Sequence, residues 1–427
     1  MSDLSVRAEP VEMAALAHDD RVHRRAYTDA AVFDAEMERI FGRSWIYVAH
    51  ESQIPSPGDF VTTDIGGQPV IVTRDGAGAV QVLMNRCPHR AAVVCVEESG
   101  STRAFRCAYH GWTFRPDGSL IGVAYGDGYA ADAFVPGELD LAVAPRVDRY
   151  RGFVFASLSP SGPTLRQHLG LASDYVDLFC DLAPGGEINL AVGRHRYGFT
   201  GNWKLQVENG VDGYHAGMVH SGYLEAAGGP NNPFAALFHG SSAGESADLG
   251  NGHALLDFRP ELGDFFERRM RSTPEGEAHY RQLVDRLGAD RASIVARANG
   301  GQGMNLLVFP NILIIQSHLR VVSPRAVDRT DVTLFPATLV DAPDSLNRAR
   351  LRAHESFYGP AGGGAPDDLE MFRRMHDGLK VRQVEWLRFD RGAHRTRTEP
   401  DGRLVGHITD EHPQRAFYRR WREEMAG

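Results

Sequence analysis

The alternation of apolar and polar positions changes character along the chain. After a polar leader, YTDAAVFDAEMERIFGRSW (27–45) places Phe33, Met37, Ile40 and Phe41 on one face. That spacing predicts an amphipathic helix, with Thr28 or Asp29 as its cap. From Ile46 to about Leu158 the period shortens to β-like runs separated by Gly, Pro and Asp turns. Within it, FVTTDIGGQPVIVTRDGAGAVQVLMN (60–85) predicts three strands joined by glycine-rich hairpin turns. GFVFASL (152–158) closes this section, and SPSGP after it marks a boundary. Helical spacing returns at Leu165, Leu169, Val176 and Phe179, and strands are predicted in INLAVGRHRYGF (188–199) and from Met304 to Val340. The remaining C-terminal part reads as helical. The expected fold class is α+β in three parts: residues 1–45 as a leader and helix that pack on the last part, 46–158 as an all-β module, and 159–427 as a larger mixed domain.

Length and composition narrow the function classes. A chain of 427 residues can build more than one core, and 42% apolar with 24% charged residues is ordinary globular usage. A formal charge of −9 argues against a general affinity for nucleic acid or anionic membrane. No apolar run has the length of a bilayer span, and the start lacks the apolar core of a signal peptide. Four cysteines are too few for a disulfide scaffold, so a cytoplasmic setting is expected.

The chemistry concentrates in CPHRAAVVCVEESGSTRAFRCAYH (87–110), which holds three of the four cysteines. Cys87 pairs in spacing with His89, and Cys107 with His110. Zinc fingers usually pair like with like, whereas these pairs are mixed. A [2Fe–2S] centre with two thiolates on one iron and two imidazoles on the other needs two short mixed turns facing each other. Pro88 stiffens one turn, Gly111 allows close backbone approach at the other, and Trp112 is placed to shield the cluster. Cys95 and Cys180 lack partners in spacing and are expected to be buried apolar residues. Residues Cys87, His89, Arg90, Cys107, His110, Gly111 and Trp112 resemble the Rieske ferredoxin family. One departure is Ala91, where Rieske domains often carry glycine; its methyl group asks for a slightly different loop.

A second constellation lies in NWKLQVENGVDGYHAGMVHSGYL (202–224). Asp212 and His215 are spaced to share a helical face. His220 would sit about 140° round an ideal helix from His215, so both can meet one metal only if the helix breaks between them, and Gly217 offers the break. Two histidines and one carboxylate make the facial triad of non-haem iron(II), with open positions for dioxygen. Together with the first motif, Glu208, Asn209, Asp212, His215 and His220 resemble the large (α) subunit of Rieske non-haem iron ring-hydroxylating oxygenases over nearly the whole chain.

That resemblance implies a Rieske domain inserted between the N-terminal helix and a catalytic domain whose antiparallel sheet is covered by helices, in a helix-grip-like arrangement. It implies a Rieske [2Fe–2S] cluster on Cys87, His89, Cys107 and His110, and mononuclear Fe(II) on His215, His220 and Asp368. Asp368 comes from APDDLEMF (365–372), where the neighbouring Asp367 is expected to favour the helix N-terminus. Asp212 is implied as the electron-transfer bridge to His110 of a neighbouring subunit, in a head-to-tail homotrimer. Glu208, Asn209 and Trp112 are expected around the metal ligands. The benzoate, toluate, anthranilate and terephthalate group is closest in its motif, which implies cis-dihydroxylation of an aromatic carboxylate and, in much of that group, a small β subunit. A buried carboxylate requires a cation or donors; Arg320 is the first candidate, with His318 and Tyr358 after it. The Gly-rich GPAGGGAP lacks a nicotinamide fingerprint, so electrons must come from a partner reductase or ferredoxin. Competing readings are a Rieske monooxygenase (hydroxylase or demethylase), an electron carrier without oxygen chemistry, and a zinc-binding interaction protein.

Overall fold

The computed structural model of the chain describes residues 12–130, 137–228, 232–238 and 240–426. Residues 1–11 of the expected leader lie outside the described residues. Asp29 caps the N-terminal helix Ala30–Glu36, its carboxylate accepting from the Ala31 N–H. The helix then widens into a π turn, Met37–Phe41. Val32, Glu36, Ile40 and Phe41 are buried, so the inward stripe carries one acid among its apolar residues. That acid decides where the helix docks. Glu36 is fully buried and accepts from Lys204 Nζ at 2.5 Å, Trp203 Nε1 at 2.8 Å and Trp421 Nε1 at 2.7 Å. A buried charge needs such complete pairing, and the three partners all belong to the large domain.

The all-β module is bounded by its own strand pairing. Ile46–His50 joins Phe153–Ser157 and Arg146–Tyr150 in one antiparallel sheet, so the entering and leaving strands lie side by side. Between them, Asp59–Ile65, Gln68–Arg74 and Val80–Met84 form the three predicted strands, with Ser99–Ser101 added at the edge. Gly66, Gly67 and Gly78 take positive φ at the two hairpin turns, the backbone state these turns require. A small apolar core of Phe60, Ile71, Leu83, Phe105 and Phe114 supports the buried Cys87 and Cys107.

The large domain is built on a nine-stranded antiparallel sheet. Its order runs His195–Thr200, Arg329–Pro336, His318–Ala326, Ile312–Ile315, Met304–Val308, His253–Asp257, Glu245–Gly250, Leu404–His407 and Arg397–Thr398. The central run Ile312–Ile315 is buried throughout, whereas Arg329–Pro336 alternates in and out, as one-sided burial demands. Helix His412–Met425 packs on the strands Glu245–Gly250 and His253–Asp257, and Trp203–Gly210 crosses the middle of the sheet.

Three expectations change here. The helical stretch after Leu165 is two helices, Leu165–Leu169 and Ala172–Cys180, because Gly170 turns the backbone to φ 47 between them. The C-terminal part is not wholly helical: Trp386–Arg388, Arg397–Thr398 and Leu404–His407 are strands, the last two completing the large sheet. Strands Glu245–Gly250 and His253–Asp257, with helices Arg259–Arg271, Pro274–Leu287 and Ala289–Ala298, were not foreseen. Among the described residues no helix is long and apolar enough to cross a membrane.

Candidate metal centres and substrate cavity

The two ligand turns of the β module are built to one plan. In the first, Cys87 N–H donates to Ala92 O and Ala91 N–H to Cys87 O; in the second, Cys107 N–H donates to Trp112 O and Gly111 N–H to Cys107 O. The residue four beyond each cysteine is left-handed: Ala91 at φ 62 and Gly111 at φ 73. Ala91 therefore does not alter the loop, contrary to the expectation; the alanine adopts the glycine-like conformation, at a cost of about 1–2 kcal/mol. Both turns face each other, with the His89 and His110 rings 4.6 Å apart and both thiols free and buried. Trp112 lies flat on His89, 5.0 Å away at 2°.

This donor set fits a Rieske cluster. Two buried thiols on facing turns, with His89 and His110 beside them and a buried His89 Nδ1 that has no hydrogen-bond partner, are the donors such a cluster needs. The imidazole edge is the more accessible side: Cys87 and Cys107 are buried, His89 and His110 are half-buried, and Tyr109 beside them is exposed. Cys95 instead meets Glu97, and Cys180 lies in the apolar core of the large domain.

In the large domain His215, His220 and Asp368 converge, their ligating atoms all within 4.8 Å of one another. Asp368 Oδ1 lies 3.5 Å from His215 Nε2 and 3.3 Å from His220 Nε2. Atoms that share a metal at about 2.0–2.2 Å stand at about these separations. The break that allows this falls at His220, not at Gly217. His215 precedes the short helix Ala216–Val219, and His220 follows it at φ −98, ψ 18 before the next helix, Ser221–Ala226. Gly217 stays inside the first helix, where an added Cβ would meet Phe238. Asp367 is half-exposed and 3.8 Å from His220 Nδ1.

The surroundings of this triad are polar in a specific way. Asp212 Oδ2 lies 3.2 Å from His215 Nδ1. Burial pushes the His215 imidazole down, yet Asp212 and then Asp368 outweigh it and hold it above its usual range. Burial pushes Asp368 up, but His220, His215 and Arg320 hold it below the usual carboxylate range. Asn209 Nδ2 donates to Asp368 Oδ1 at 3.0 Å and approaches His215 Nε2 at 3.2 Å.

Glu208 does not join it. One residue earlier on the helix it is turned about 100° away, where Tyr27 OH donates to Oε1 at 2.8 Å and Tyr418 OH donates to the same atom. Glu208 therefore ties the N-terminal segment and the last helix to the helix that bears Asn209. Burial pushes its carboxyl up to about 7, from 4.5. The folded chain thus holds a proton there that the unfolded chain releases, and stability from this group is lost as pH rises from about 4.5 through 7. Glu208→Gln keeps the acceptor for both tyrosines. The expected result is a thermal midpoint that falls less than the wild type's between pH 5 and pH 8, a difference on the order of 3 kcal/mol.

A cavity of about 520 Å³ opens beside the triad. Its walls include a group of apolar side chains, Phe234, Phe238, Phe258, Phe266, Ile315 and Phe357, among many polar ones. None of these was foreseen, since nothing in their spacing separates a cavity wall from a core. Asn305 also faces the cavity. Arg320 and Arg350 both reach this wall. Arg350 is spent on backbone carbonyls, donating to Asn299 O at 3.2 Å and Gly300 O at 3.1 Å. Arg320 is 2% exposed, sits 5.4 Å over the Tyr358 ring, and has no hydrogen bond or ion pair with any described residue. Tyr358 lines the cavity; His318 does not, lying behind it in ring contact with Tyr358 and His354.

Comparison with known proteins agrees with this layout. Residues 44–128 match the Rieske [2Fe-2S] domain, and residues 189–427 match the ring hydroxylating alpha subunit (catalytic domain). The chain is 37% identical over 396 residues to the 2-halobenzoate 1,2-dioxygenase large subunit of Burkholderia cepacia, covering 89% of this chain and 82% of that one. It is 35% identical over 377 residues to toluate 1,2-dioxygenase subunit alpha of Pseudomonas putida, covering 84% and 79%. The crystal structure of naphthalene 1,2-dioxygenase from Rhodococcus sp. bound to indole superposes with a TM-score of 0.81 at 28% identity, over 95% of this chain and 94% of that one.

Proposed function

Because the chain belongs to the ring-hydroxylating dioxygenase α-subunit family, an oxygenase with a Rieske [2Fe–2S] cluster and a mononuclear iron, we propose that it cis-dihydroxylates an aromatic carboxylate held against Arg320. The carrying observation is the buried Arg320 guanidinium, without a hydrogen bond or ion pair among the described residues and with Nε unsatisfied, on the wall of the cavity that His215, His220 and Asp368 share. A buried cation without a partner is costly, and a bound carboxylate relieves it by a bidentate, charge-assisted pair. The phenyl groups of Phe234, Phe238, Phe258, Phe266 and Phe357 on the same wall suit the face of a ring.

Cys87, Cys107, His89 and His110 hold the cluster in this reading, and His215, His220 and Asp368 hold the iron. These centres supply single electrons and dioxygen activation when bound. The chain's own groups do the positioning. Asp212 Oδ2, 3.2 Å from His215 Nδ1, favours a proton on that nitrogen and so leaves Nε2 toward the metal point. Asn209 steadies Asp368 from the other side. The aromatic walls exclude water around the bound ring.

Proteins of this family are oxygenase components that receive electrons from a reductase or ferredoxin. The accessible His89 and His110 edge, and the partly exposed Asp212 beside the exposed Tyr214 and Met218, support a head-to-tail homotrimer. In it, His110 of one protomer meets Asp212 of the next; a small β subunit completes the assembly. The test is aerobic turnover of benzoates and phthalates against neutral arenes, with a surrogate reductase and ¹⁸O-labelled dioxygen. Diols carrying two labelled atoms from the acids alone are expected. A single labelled atom makes the enzyme a monooxygenase, and equal turnover of neutral arenes removes the carboxylate.

A further inference from the structure

On the side of helix Asp344–Tyr358 away from the cavity, its last turns meet the start of the edge strand His195–Thr200. Three ligand-type side chains converge there. The ligating atoms of His195, His354 and Glu355 all lie within 4.8 Å of one another. His195 Nε2 is 2.8 Å from Glu355 Oε1, and the His195 and His354 rings lie 5.4 Å apart, 14° from parallel.

A second observation points to a ligand. His354 is 1% exposed, and neither of its ring nitrogens has a hydrogen-bond partner. Buried polar groups are satisfied as a rule, and an imidazole with two idle nitrogens is a rare exception. His318, packed against it 4.8 Å away, is also buried with both nitrogens idle, so it supplies no partner. Entry is open from the other side, since Glu355 is 54% and His195 23% exposed along their side chains.

We propose that His195, His354 and Glu355 form a separate binding site for a divalent transition-metal ion, with zinc the preferred occupant. Two imidazoles and a carboxylate are a borderline-soft set that disfavours calcium and magnesium, which take oxygen ligands. Zinc outranks ferrous iron at such a set, and three protein ligands leave its fourth tetrahedral position to water.

The position gives the ion a consequence. It clamps the helix whose Phe357 and Tyr358 form part of the cavity wall onto the sheet edge. Tyr358 lies under Arg320, and His354 contacts Tyr358 through their rings. Occupancy therefore stiffens the wall that carries the unpaired guanidinium.

Three measurements on the full, iron-loaded chain test this. Titration calorimetry with zinc chloride is expected to show, besides exchange at the iron triad, a separate binding event in the wild type. His195→Asn and Glu355→Gln, both at accessible positions that leave the fold intact, should each weaken it by at least about a hundredfold, since even groups that only support a ligand are worth about ten- to a hundredfold. Crystals soaked in the same salt should give an anomalous peak at the zinc edge among these three residues. The peak should vanish in the double variant, together with any zinc-induced rise in thermal midpoint. Zinc uptake unchanged by both substitutions, or a zinc peak only at His215, His220 and Asp368, overturns the proposal.

Discussion

His215→Ala, His220→Ala and Asp368→Ala should each abolish oxygenase turnover, by roughly a thousandfold or more, while the visible Rieske spectrum stays intact. The two donor sets are in different cores: the cysteine turns rest on Phe60, Ile71 and Leu83, and the triad joins the end of the Trp203–Gly210 helix region to helix Ala365–Gly378. Loss of one triad ligand leaves two donors in a cavity wall and nothing to replace the third, because Asp367 lies 3.8 Å from the wrong nitrogen of His220. Iron content should therefore fall from three atoms per chain toward two (two from the [2Fe–2S] cluster, one from the mononuclear site). Asp212→Asn should behave differently, keeping all three ligands and weakening iron binding by about ten- to a hundredfold. Triad variants that retain full iron and activity would refute the assignment; loss of the Rieske spectrum in them would show that the centres are not independent.

Arg320→Met should reduce kcat/KM for aromatic acids by about thirty- to several-thousandfold, the range for removing one partner of a buried charge pair at about 2–5 kcal/mol. Neutral arenes should lose little. The side chain makes no hydrogen bond or ion pair with described residues, so its removal breaks no fold-stabilising pair. The guanidinium lies over Tyr358 and helps keep Asp368 ionised, so its removal should shift the thermal midpoint of substrate-free protein only modestly. Arg320→Lys should rescue only in part, since an ammonium cannot present two parallel donors. Steady-state kinetics on an acid and its neutral analogue, beside a melting curve, check all three points. An equal loss for acid and neutral substrates would assign Arg320 to the architecture of the wall.

What could be read from the sequence follows the range of the interactions involved. The turns at Cys87 and Cys107 are closed by hydrogen bonds within six residues, so spacing alone predicted mixed ligand pairs. Spacing could not say how Ala91 would behave, because the choice between a new loop and a strained alanine is made by the packing around it. Asp368 lies far from His215 in the chain, and only the family resemblance joined them. The break at His220 escaped a rule that looks for glycine, since the short helix Ala216–Val219 ends on His220 itself, at φ −98, ψ 18. Glu208 looked like a neighbour of the metal by position, but helical rotation sends it to Tyr27 and Tyr418 instead. Strands Glu245–Gly250 and His253–Asp257 are almost wholly buried, so they lack the alternation that identifies a one-sided strand.

The pairing of Ile46–His50 with Phe153–Ser157, and of Glu36 with Lys204 and Trp421, sets an order of events during synthesis on the ribosome. The β module has all its strands once residue 157 has emerged, and domains tend to fold as units during translation. Cluster insertion can then precede completion of the large domain. Glu36, made earliest, meets its first partners when Trp203 and Lys204 are translated and the last only with Trp421.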